Sequence, residues 1–596
     1  MPQVILKLIA IFPAILCFLF LLANADRSID ITDESSYVLR ATHPQLILFQ
    51  WNWYGYYTGG LKTLAGGTIT GLRIAGIAIL LAVAAFFSTA VCTYCYRNLG
   101  IDCSKKTRIF AISISTCCTL YFYRYWLLTP SYNWLALSST LLAGSGLLLA
   151  ATNAEGASSK QKYLLVAAFI LTGIGGFFAF AAKPTTGIVL SIIFIIWTFF
   201  TQPIKNWTKA VLISGISASV PAIFHVVVLD GGFDASFNKL NMGQQALYLL
   251  QSGHTFSSVF KNFFADMSSI WPTYIQIQGI TFVVLIVFLI SFHFSPLCRK
   301  FKPVMLVLVM MCSVTELYWR GSQLTGAVTT AFFITILFTT ISLQFSQAQL
   351  ERHQSGSLVN LMRILLLFFA LSVAFAFGSN NGLFRQIVLS MPFFGMSLFI
   401  LALWAHHKSN QRFALAGVLF LSVALMTKGM HQAYTKPYRS VAPIYEQTEI
   451  IQILGRQDTL KVDIKTANYI RGLQKIALAA GWVEGTPLID LTGGSPGANV
   501  VLSSTFIGTP WTLGGYKGST EFVHKALSLG SNETLKSAWV LTAISGTRSL
   551  PNTLLQEFGL NFPSSYILVG KVTTGHRSEV QSLWRPTYSQ QPIADQ

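Results

Sequence analysis

The chain has 596 residues, of which 53% are hydrophobic and only 11% charged, and its mean hydropathy is +0.55. Soluble domains carry about 25% charged residues, so the composition excludes a protein that is soluble throughout. The formal net charge of +19 does not indicate a nucleic-acid partner, because the basic residues lie between apolar segments and form no basic face.

Apolar segments recur along the chain as far as Met426, each close to the ~20 residues that cross a bilayer. We predict a mainly α fold with about thirteen transmembrane helices in a domain of residues 1–430, followed by a soluble extracytoplasmic α/β domain of residues 431–596. The predicted spans lie at 5–25, 67–96, 108–128, 133–152, 162–181, 185–202, 208–228, 274–295, 303–318, 324–344, 357–377, 386–405 and 412–427.

Lys and Arg in the short loops predict the orientation, since cytoplasmic loops retain them. A cytoplasmic N-terminus places the basic loops at 97–108 and 299–302 inside the cell, and an odd number of spans then places the residues after Lys428 outside the cytoplasmic membrane. The first segment is alternatively a cleaved signal, because Ala23-Asn24-Ala25 resembles a cleavage site. Either interpretation exports the loop that begins at Asp26.

Acidic residues are concentrated in this first exported loop. Four of the eleven acids that precede residue 428 fall within nine residues, namely Asp26, Asp30, Asp33 and Glu34. Such carboxylates serve either as the solvated cap of a surface helix or in catalysis. The aromatic segment 51–57 follows in the same loop, and its rings suit either stacking on sugars or anchoring at the membrane interface.

The pattern Asp33-Glu34-x-x-Tyr37 after the first span, followed by many spans and an outer C-terminal domain, resembles the GT-C superfamily of membrane glycosyltransferases. The resemblance is greatest to the branch of aminoarabinose and protein mannosyl transferases, and it covers residues 1 to about 430. It implies transfer of a sugar from a polyprenyl-phosphate donor to a lipid, glycan or protein acceptor. It also implies that the catalytic carboxylate is Asp33, with Glu34 and Asp30 as neighbouring candidates, and that Tyr37 contacts substrate.

A lipid-phosphate donor requires cations near the outer surface, where they neutralise the leaving phosphate. Lys183, in the tight turn between two predicted spans, is the first candidate. Arg320 can pair with Glu316 four residues earlier on one helical face, and Arg73 lies near the outer end of the second span. Interfacial anchoring or ion pairing is the alternative role of each.

Two exported turns supply candidate residues for binding a sugar. Tyr132 and Asn133 belong to the first turn, and Asn380 belongs to the second, at 378–382; turn geometry alone also selects such residues. The sequence contains no phosphate-binding loop, nucleophile elbow or compact metal-ligand spacing. We therefore expect no resident cofactor and no metal site, although the sequence does not exclude a divalent cation that binds with the substrate. The expected partners are the lipid-linked sugar, its acceptor and membrane lipid.

After about residue 440, strand-forming and helical patterns alternate, which predicts the α/β domain. The predicted strands lie at 487–491 and 565–570 and the predicted helices at 465–480 and 519–530. The segment Gly493–Gly497 follows a predicted strand and is either a phosphate cradle or, in preference, a plain loop. Trp482, Trp511 and Tyr516 indicate either an acceptor surface or a core.

Three other functions are compatible with parts of this pattern. A transporter or flippase of lipid-linked saccharides predicts charged residues in the middle of spans and inverted repeats, and neither is visible in the sequence. An O-antigen ligase or polymerase predicts a large late exported loop, which residues 230–272 supply with few acids. A non-catalytic scaffold that displays the outer domain is the third. The acidic loop favours a glycosyltransferase.

Overall fold

The computed structural model describes residues 3–49, 52–154, 158–250, 256–269, 355–379, 381–409, 412–455 and 457–587, with a few isolated positions between 272 and 287. This part of the chain is mainly helical. Its helices are α1 (Gln3–Ala23), α2 (Asp33–Thr42), α3 (Tyr54–Leu64), α4 (Ile69–Leu99), α5 (Lys105–Leu120), α6 (Tyr132–Thr152), α7 (Ser159–Ala182), α8 (Pro184–Thr201), α9 (Ile204–Phe224), α10 (Phe233–Leu250), α11 (Phe256–Ser268), α12 (Ser355–Ala376), α13 (Leu383–Ile387), α14 (Met391–Ser409), α15 (Arg412–Thr435), α16 (Ile464–Ala479), α17 (Pro496–Val501), α18 (Ser519–Leu527) and α19 (Asn532–Ser537).

Seven helical segments among the described residues are long and apolar enough to cross a membrane. They are Ile69–Leu99, Tyr132–Thr152, Ser159–Ala182, Pro184–Thr201, Ile204–Leu229, Ser357–Ala376 and Arg385–Trp404. The prediction of a mainly helical, multi-pass membrane protein is therefore confirmed. The predicted spans at 303–318 and 324–344, and most of 274–295, lie outside the described residues, so the count of thirteen stays a prediction.

Polar residues at the helix ends explain where the apolar helices begin and stop. Thr68 caps α4, because its hydroxyl accepts a hydrogen bond from the backbone N–H of Gly71 at 3.0 Å. The same helix stops at Gly100, whose φ of 68° is in the left-handed region that glycine adopts at little cost. Ser158 and Gln161 form a reciprocal capping box at the start of α7. These caps fix where the connecting loops begin.

The C-terminal region contains two sheets, which confirms the predicted α/β character. In the smaller sheet, β1 (Glu449–Gln452) and β2 (Thr459–Val462) pair antiparallel. The larger sheet has the strand order β3-β4-β6-β5, in which only β3 and β4 pair parallel. Its strands are β3 (Leu488–Asp490), β4 (Trp539–Ile544), β5 (Tyr566–Thr573) and β6 (Val580–Pro586).

The loop after α1 packs directly into this C-terminal region. Ile29, Val38 and Leu39 share one buried core with residues of β1, β2 and α16. The backbone N–H of Gly497 donates to the carbonyl of Ile31 at 2.8 Å, and a Cβ on Gly497 would lie only 2.8 Å from the Cα of Ile31. Only glycine allows this approach. Helix α2 consequently lies at the junction between the helical bundle and the C-terminal region.

Candidate active site

One polar face of α2 lines a large cavity at this junction. Asp33, Ser36, Tyr37 and Arg40 follow the spacing that places side chains on one side of a helix. All four line a cavity of about 700 Å³. The rest of its described wall comes from α3 and the loop before it, α6, α10, the turns after α7 and α12, and loops of the C-terminal region. The cavity is therefore shared between the bundle and the C-terminal region.

Asp30 supports the start of α2. Its carboxylate accepts hydrogen bonds from the backbone N–H groups of Thr32 at 3.1 Å and Glu34 at 3.2 Å, which satisfies donors that the helix itself leaves free. Burial, reinforced by the neighbouring charge of Asp33, raises the pKa of Asp30 to about 7. Asp30 is not among the residues that line the cavity. The geometry favours a positioning role for this catalytic candidate.

Glu34 and Arg73 form a buried ion pair behind α2. Nη2 of Arg73 lies 2.8 Å from Oε1 of Glu34, and both side chains are at most 1% exposed. Oε1 also accepts from the Thr129 hydroxyl at 2.7 Å, while Oε2 accepts from the backbone N–H of Asp30 at 3.2 Å. Arg73 donates in addition to three loop carbonyls, those of Ala25, Arg27 and Ser28. Neither residue lines the cavity, so the pair holds the loop in place.

Asp33 is the one carboxylate among the described residues of the cavity wall. Its Oδ2 accepts from Nη1 of Arg439 at 2.8 Å and from the hydroxyl of Tyr438 at 3.0 Å. Within the described ranges Oδ1 accepts no hydrogen bond, and the side chain is 27% exposed. Arg439 adopts a φ of 50°, which is unusual for a residue other than glycine and is typical of functional sites. Oδ1 is therefore available to a ligand.

Lys183 lies in the turn between α7 and α8 and also lines the cavity. Its Nζ donates to the carbonyl of Phe375 at 3.1 Å and lies 5.4 Å from the centroid of the Tyr132 ring. The residue is only 6% exposed, and this burial lowers the pKa of Lys183 to about 7. An anion in the cavity would stabilise its charged form.

Positive charge and aromatic rings dominate the described wall of the cavity. Its cations are Arg40, Lys183, Arg439 and Arg548, against the single carboxylate of Asp33. Tyr37, Tyr54 and Tyr132 form a cluster with ring centroids 6.1–6.3 Å apart, and Trp511 and Tyr516 face the cavity from the C-terminal region. This combination suits a ligand in which an anionic group is joined to a saccharide.

The other candidates from the sequence fall in different places. In the turn at 378–382, Ser379 and Asn381 line the cavity. Asn133, from the other exported turn, does not line it. Trp482 packs in the core against Trp539, with ring centroids 4.9 Å apart. Asn380, Glu316 and Arg320 lie outside the described residues. Within the part of the chain that the structure describes, no group of three His, Cys, Asp or Glu side chains is placed to hold a metal ion.

The wall residues that are not candidates from the sequence include Arg40, Tyr438, Arg439 and Arg548. The signal for Arg40 is visible in the sequence, because it follows Asp33 by seven residues and so lies on the same face of a helix. The other three have no such signal. They approach Asp33 and the cavity only through the folding of the C-terminal region onto α2.

No protein family profile and no curated relative matches the sequence. The solved structures that are similar to the chain include three at 11% identity. The Archaeoglobus fulgidus oligosaccharyltransferase, tethered to an acceptor peptide with the NVT sequon, has a TM-score of 0.45 and covers 90% of this chain and 69% of its own. AglB from the same organism, in complex with an inhibitory peptide and a dolichol-phosphate, has a TM-score of 0.43 and covers 89% of this chain and 69% of its own.

The third structure is apo ArnT from Cupriavidus metallidurans, with a TM-score of 0.41 and coverage of 96% of this chain and 97% of its own. Since each TM-score lies below 0.5, the proposal below rests on the geometry of the cavity and not on these likenesses.

Proposed function

We propose that the protein transfers a sugar from a polyprenyl-phosphate donor to an acceptor hydroxyl on the outer face of the cytoplasmic membrane. One observation carries the proposal. Where the bundle meets the C-terminal region, the described residues of a cavity of about 700 Å³ present one carboxylate, Asp33, among four cationic side chains. A carboxylate can activate a hydroxyl, and cations can stabilise a leaving phosphate.

The donor phosphate binds at Lys183 and Arg40 in this proposal. Lys183 is buried against the Tyr132 ring and the Phe375 carbonyl, a setting in which water screens charge weakly. Helix α8 begins directly after Lys183 and exposes Ile188, Ile192 and Ile195. Because exposed apolar side chains of a spanning helix face lipid, a prenyl chain can lie along α8 while its phosphate reaches Lys183.

Asp33 activates the acceptor. Arg439 and Tyr438 hold Oδ2, which leaves Oδ1 to take the proton from the acceptor hydroxyl or to orient that hydroxyl. The hydroxyl oxygen then bonds to the anomeric carbon while the bond between this carbon and the phosphate oxygen breaks. The departing lipid phosphate keeps the electron pair and is stabilised by Lys183. A positioned base contributes roughly 10²–10⁴-fold, and a single displacement inverts the anomeric configuration.

The donor class can be tested by mass spectrometry of membrane lipids from cells that lack the protein. We expect a polyprenyl-phosphate sugar to accumulate in these cells and to return to its ordinary level when the wild-type chain is restored. The Asp33→Asn variant should not restore that level, although it inserts into the membrane. Unchanged lipid-linked sugars in the deletion cells would contradict the proposed donor.

A further inference from the structure

Two arginines of the C-terminal region converge on the glycine-rich loop 493–497. A Cβ on Gly494 would lie 3.2 Å from Nη1 of Arg577 and 3.6 Å from Cδ of Arg548. Both arginine side chains therefore pack against the backbone of Gly494. Neither guanidinium forms an ion pair or a hydrogen bond with another residue of the described ranges. Burial and then the neighbouring charge of Arg548 lower the pKa of Arg577. Cations held together in this way favour a bound anion.

Aromatic residues border the same arginine pair. Arg548, Trp511 and Tyr516 all line the large cavity. The indole N–H of Trp511 donates to the carbonyl of Gly493 at 3.3 Å, which fixes the ring on the glycine-rich loop, and Tyr516 is 40% exposed. Aromatic faces stack on saccharide rings, while paired guanidinium groups bind carboxylate or phosphate with defined geometry.

Arg577 also lies close enough to Arg439, the partner of the proposed catalytic carboxylate, for their charges to interact. Arg439 contacts Asp33 at 2.8 Å, and its charge also acts on Arg577. The charges of Glu579 and Asp30 act on Arg577 with the opposite effect, but neither forms an ion pair with it among the described residues. Lys183 belongs to the bundle, whereas Arg548 and Arg577 belong to the C-terminal region. Lys183 and Arg548 line the large cavity, whereas Arg577 lies beside Arg548 at Gly494 and does not line the cavity itself.

We infer that Arg548 and Arg577, together with Trp511 and Tyr516, form a subsite for an acidic saccharide, and that the acceptor is a saccharide that carries a carboxylate or phosphate. The aromatic pair binds the sugar ring and the arginine pair binds its acidic group. The identity of this ligand as the acceptor rests on the proposed function. The binding of an acidic sugar does not, and it can be measured without any transfer reaction.

Ligand-observed NMR on the purified full-length protein in detergent tests the subsite. The probes are glucuronic acid, glucose 6-phosphate, glucose and inorganic phosphate. We expect both acidic sugars to bind at least about tenfold more tightly than glucose, because only they engage the arginines. Inorganic phosphate should bind more weakly than glucose 6-phosphate, because it lacks a ring to stack. The tighter of the two acidic sugars shows whether the subsite prefers carboxylate or phosphate.

Variants assign the binding to the two arginines. Arg548→Ala and Arg577→Ala should each weaken acidic-sugar binding about tenfold and leave glucose binding unchanged, whereas Arg548→Lys should retain part of the affinity. Arg471→Ala is the matched control, because Arg471 lies in the same region, is exposed and pairs with Glu449. Its acidic-sugar binding should equal that of the wild type.

If the wild type binds neither glucuronic acid nor glucose 6-phosphate more tightly than glucose, the inference is overturned, even if an arginine variant fails to fold. Acidic-sugar binding that survives both alanine substitutions would also overturn it. The proposed function fails separately: if acidic sugars bind as expected but no Asp33-dependent transfer occurs, the subsite stands and the enzymatic assignment does not. If transfer occurs and acidic sugars do not bind, only this inference fails.

Discussion

The buried ammonium of Lys183 makes donor binding depend on pH. Because burial lowers its pKa to about 7, roughly half of the free protein carries a neutral Lys183 near neutral pH. The donor phosphate binds the charged form, so binding is strongest below the pKa and weakens as pH rises through it. If only the charged form binds, the apparent donor KM at about pH 8 is roughly tenfold higher than at about pH 6, which corresponds to about 1.4 kcal/mol.

Apparent donor KM values in membrane vesicles test this expectation. A sugar phosphodiester keeps one negative charge across this range, so the titrating group belongs to the protein. Lys183→Arg should abolish the pH dependence, because the guanidinium stays charged throughout. Lys183→Met should raise the donor KM most at about pH 6, at a cost of about 1.5–3 kcal/mol for the lost charge-assisted hydrogen bond, and by less at about pH 8, where most wild-type Lys183 is already neutral.

Asp30 is a second group that titrates in the same pH range, and the Lys183→Arg variant distinguishes it from Lys183. Its pKa is also raised to about 7, but Asp30 is unchanged in Lys183→Arg. If the donor KM of Lys183→Arg still varies with pH, the titrating group is therefore another one, such as Asp30. A donor KM that does not vary with pH in the wild type would refute the reasoning directly.

Three further predictions concern the support of the site, its orientation and the acceptor. Glu34→Gln or Arg73→Met leaves one partner of a buried pair alone and should lower the unfolding free energy by about 3–5 kcal/mol, seen as a lower Tm in detergent; an unchanged Tm would argue against a structural pair. Alkaline phosphatase fused after residue 440 should be active and one fused near residue 104 inactive, and the reverse pattern would contradict the orientation. Trp511→Ala should raise the acceptor KM severalfold through lost ring stacking and leave the donor KM unchanged. Equal increases of the two KM values would contradict the assignment of Trp511 to the acceptor subsite.

The helices of the bundle could be predicted from the sequence because each apolar segment is continuous and ends at polar or glycine residues. The predicted spans at 162–181 and 185–202 correspond to Ser159–Ala182 and Pro184–Thr201, which is why Lys183 was placed correctly in the turn between them. The predicted strand at 487–491 likewise contains Leu488–Asp490. Local sequence patterns carry this kind of information.

Helical periodicity predicts that Asp33 and Glu34 point in different directions, but it does not predict which of them faces the cavity. Consecutive residues of α2 point in directions about 100° apart, and the structure places Asp33 in the cavity wall and Glu34 against Arg73. What the sequence did not reveal is the partner of each carboxylate. Arg439 contacts Asp33 across 406 residues and Arg73 contacts Glu34 across 39, and such pairings depend on the tertiary fold.

The glycine-rich loop shows the same limit. The sequence predicts a plain loop at 493–497 in preference to a phosphate cradle, whereas in the structure Pro496 and Gly497 already belong to α17. In the structure Gly497 packs against Ile31, and Arg548 and Arg577 lie beside Gly494. The reason for these glycines is therefore the close approach of distant segments, which no local pattern reveals.

The most direct test of the proposed role of Asp33 compares Asp33→Asn with Asp26→Asn in one transfer assay. Both substitutions remove a carboxylate from the same loop, but Asp26 pairs with Lys461 at 2.7 Å and does not line the cavity. We predict that Asp33→Asn inserts, binds the polyprenyl-phosphate sugar with wild-type affinity and loses turnover by roughly 10²–10⁴-fold, while Asp26→Asn keeps its turnover. Wild-type turnover in Asp33→Asn would contradict the assignment of Asp33 as the group that activates the acceptor.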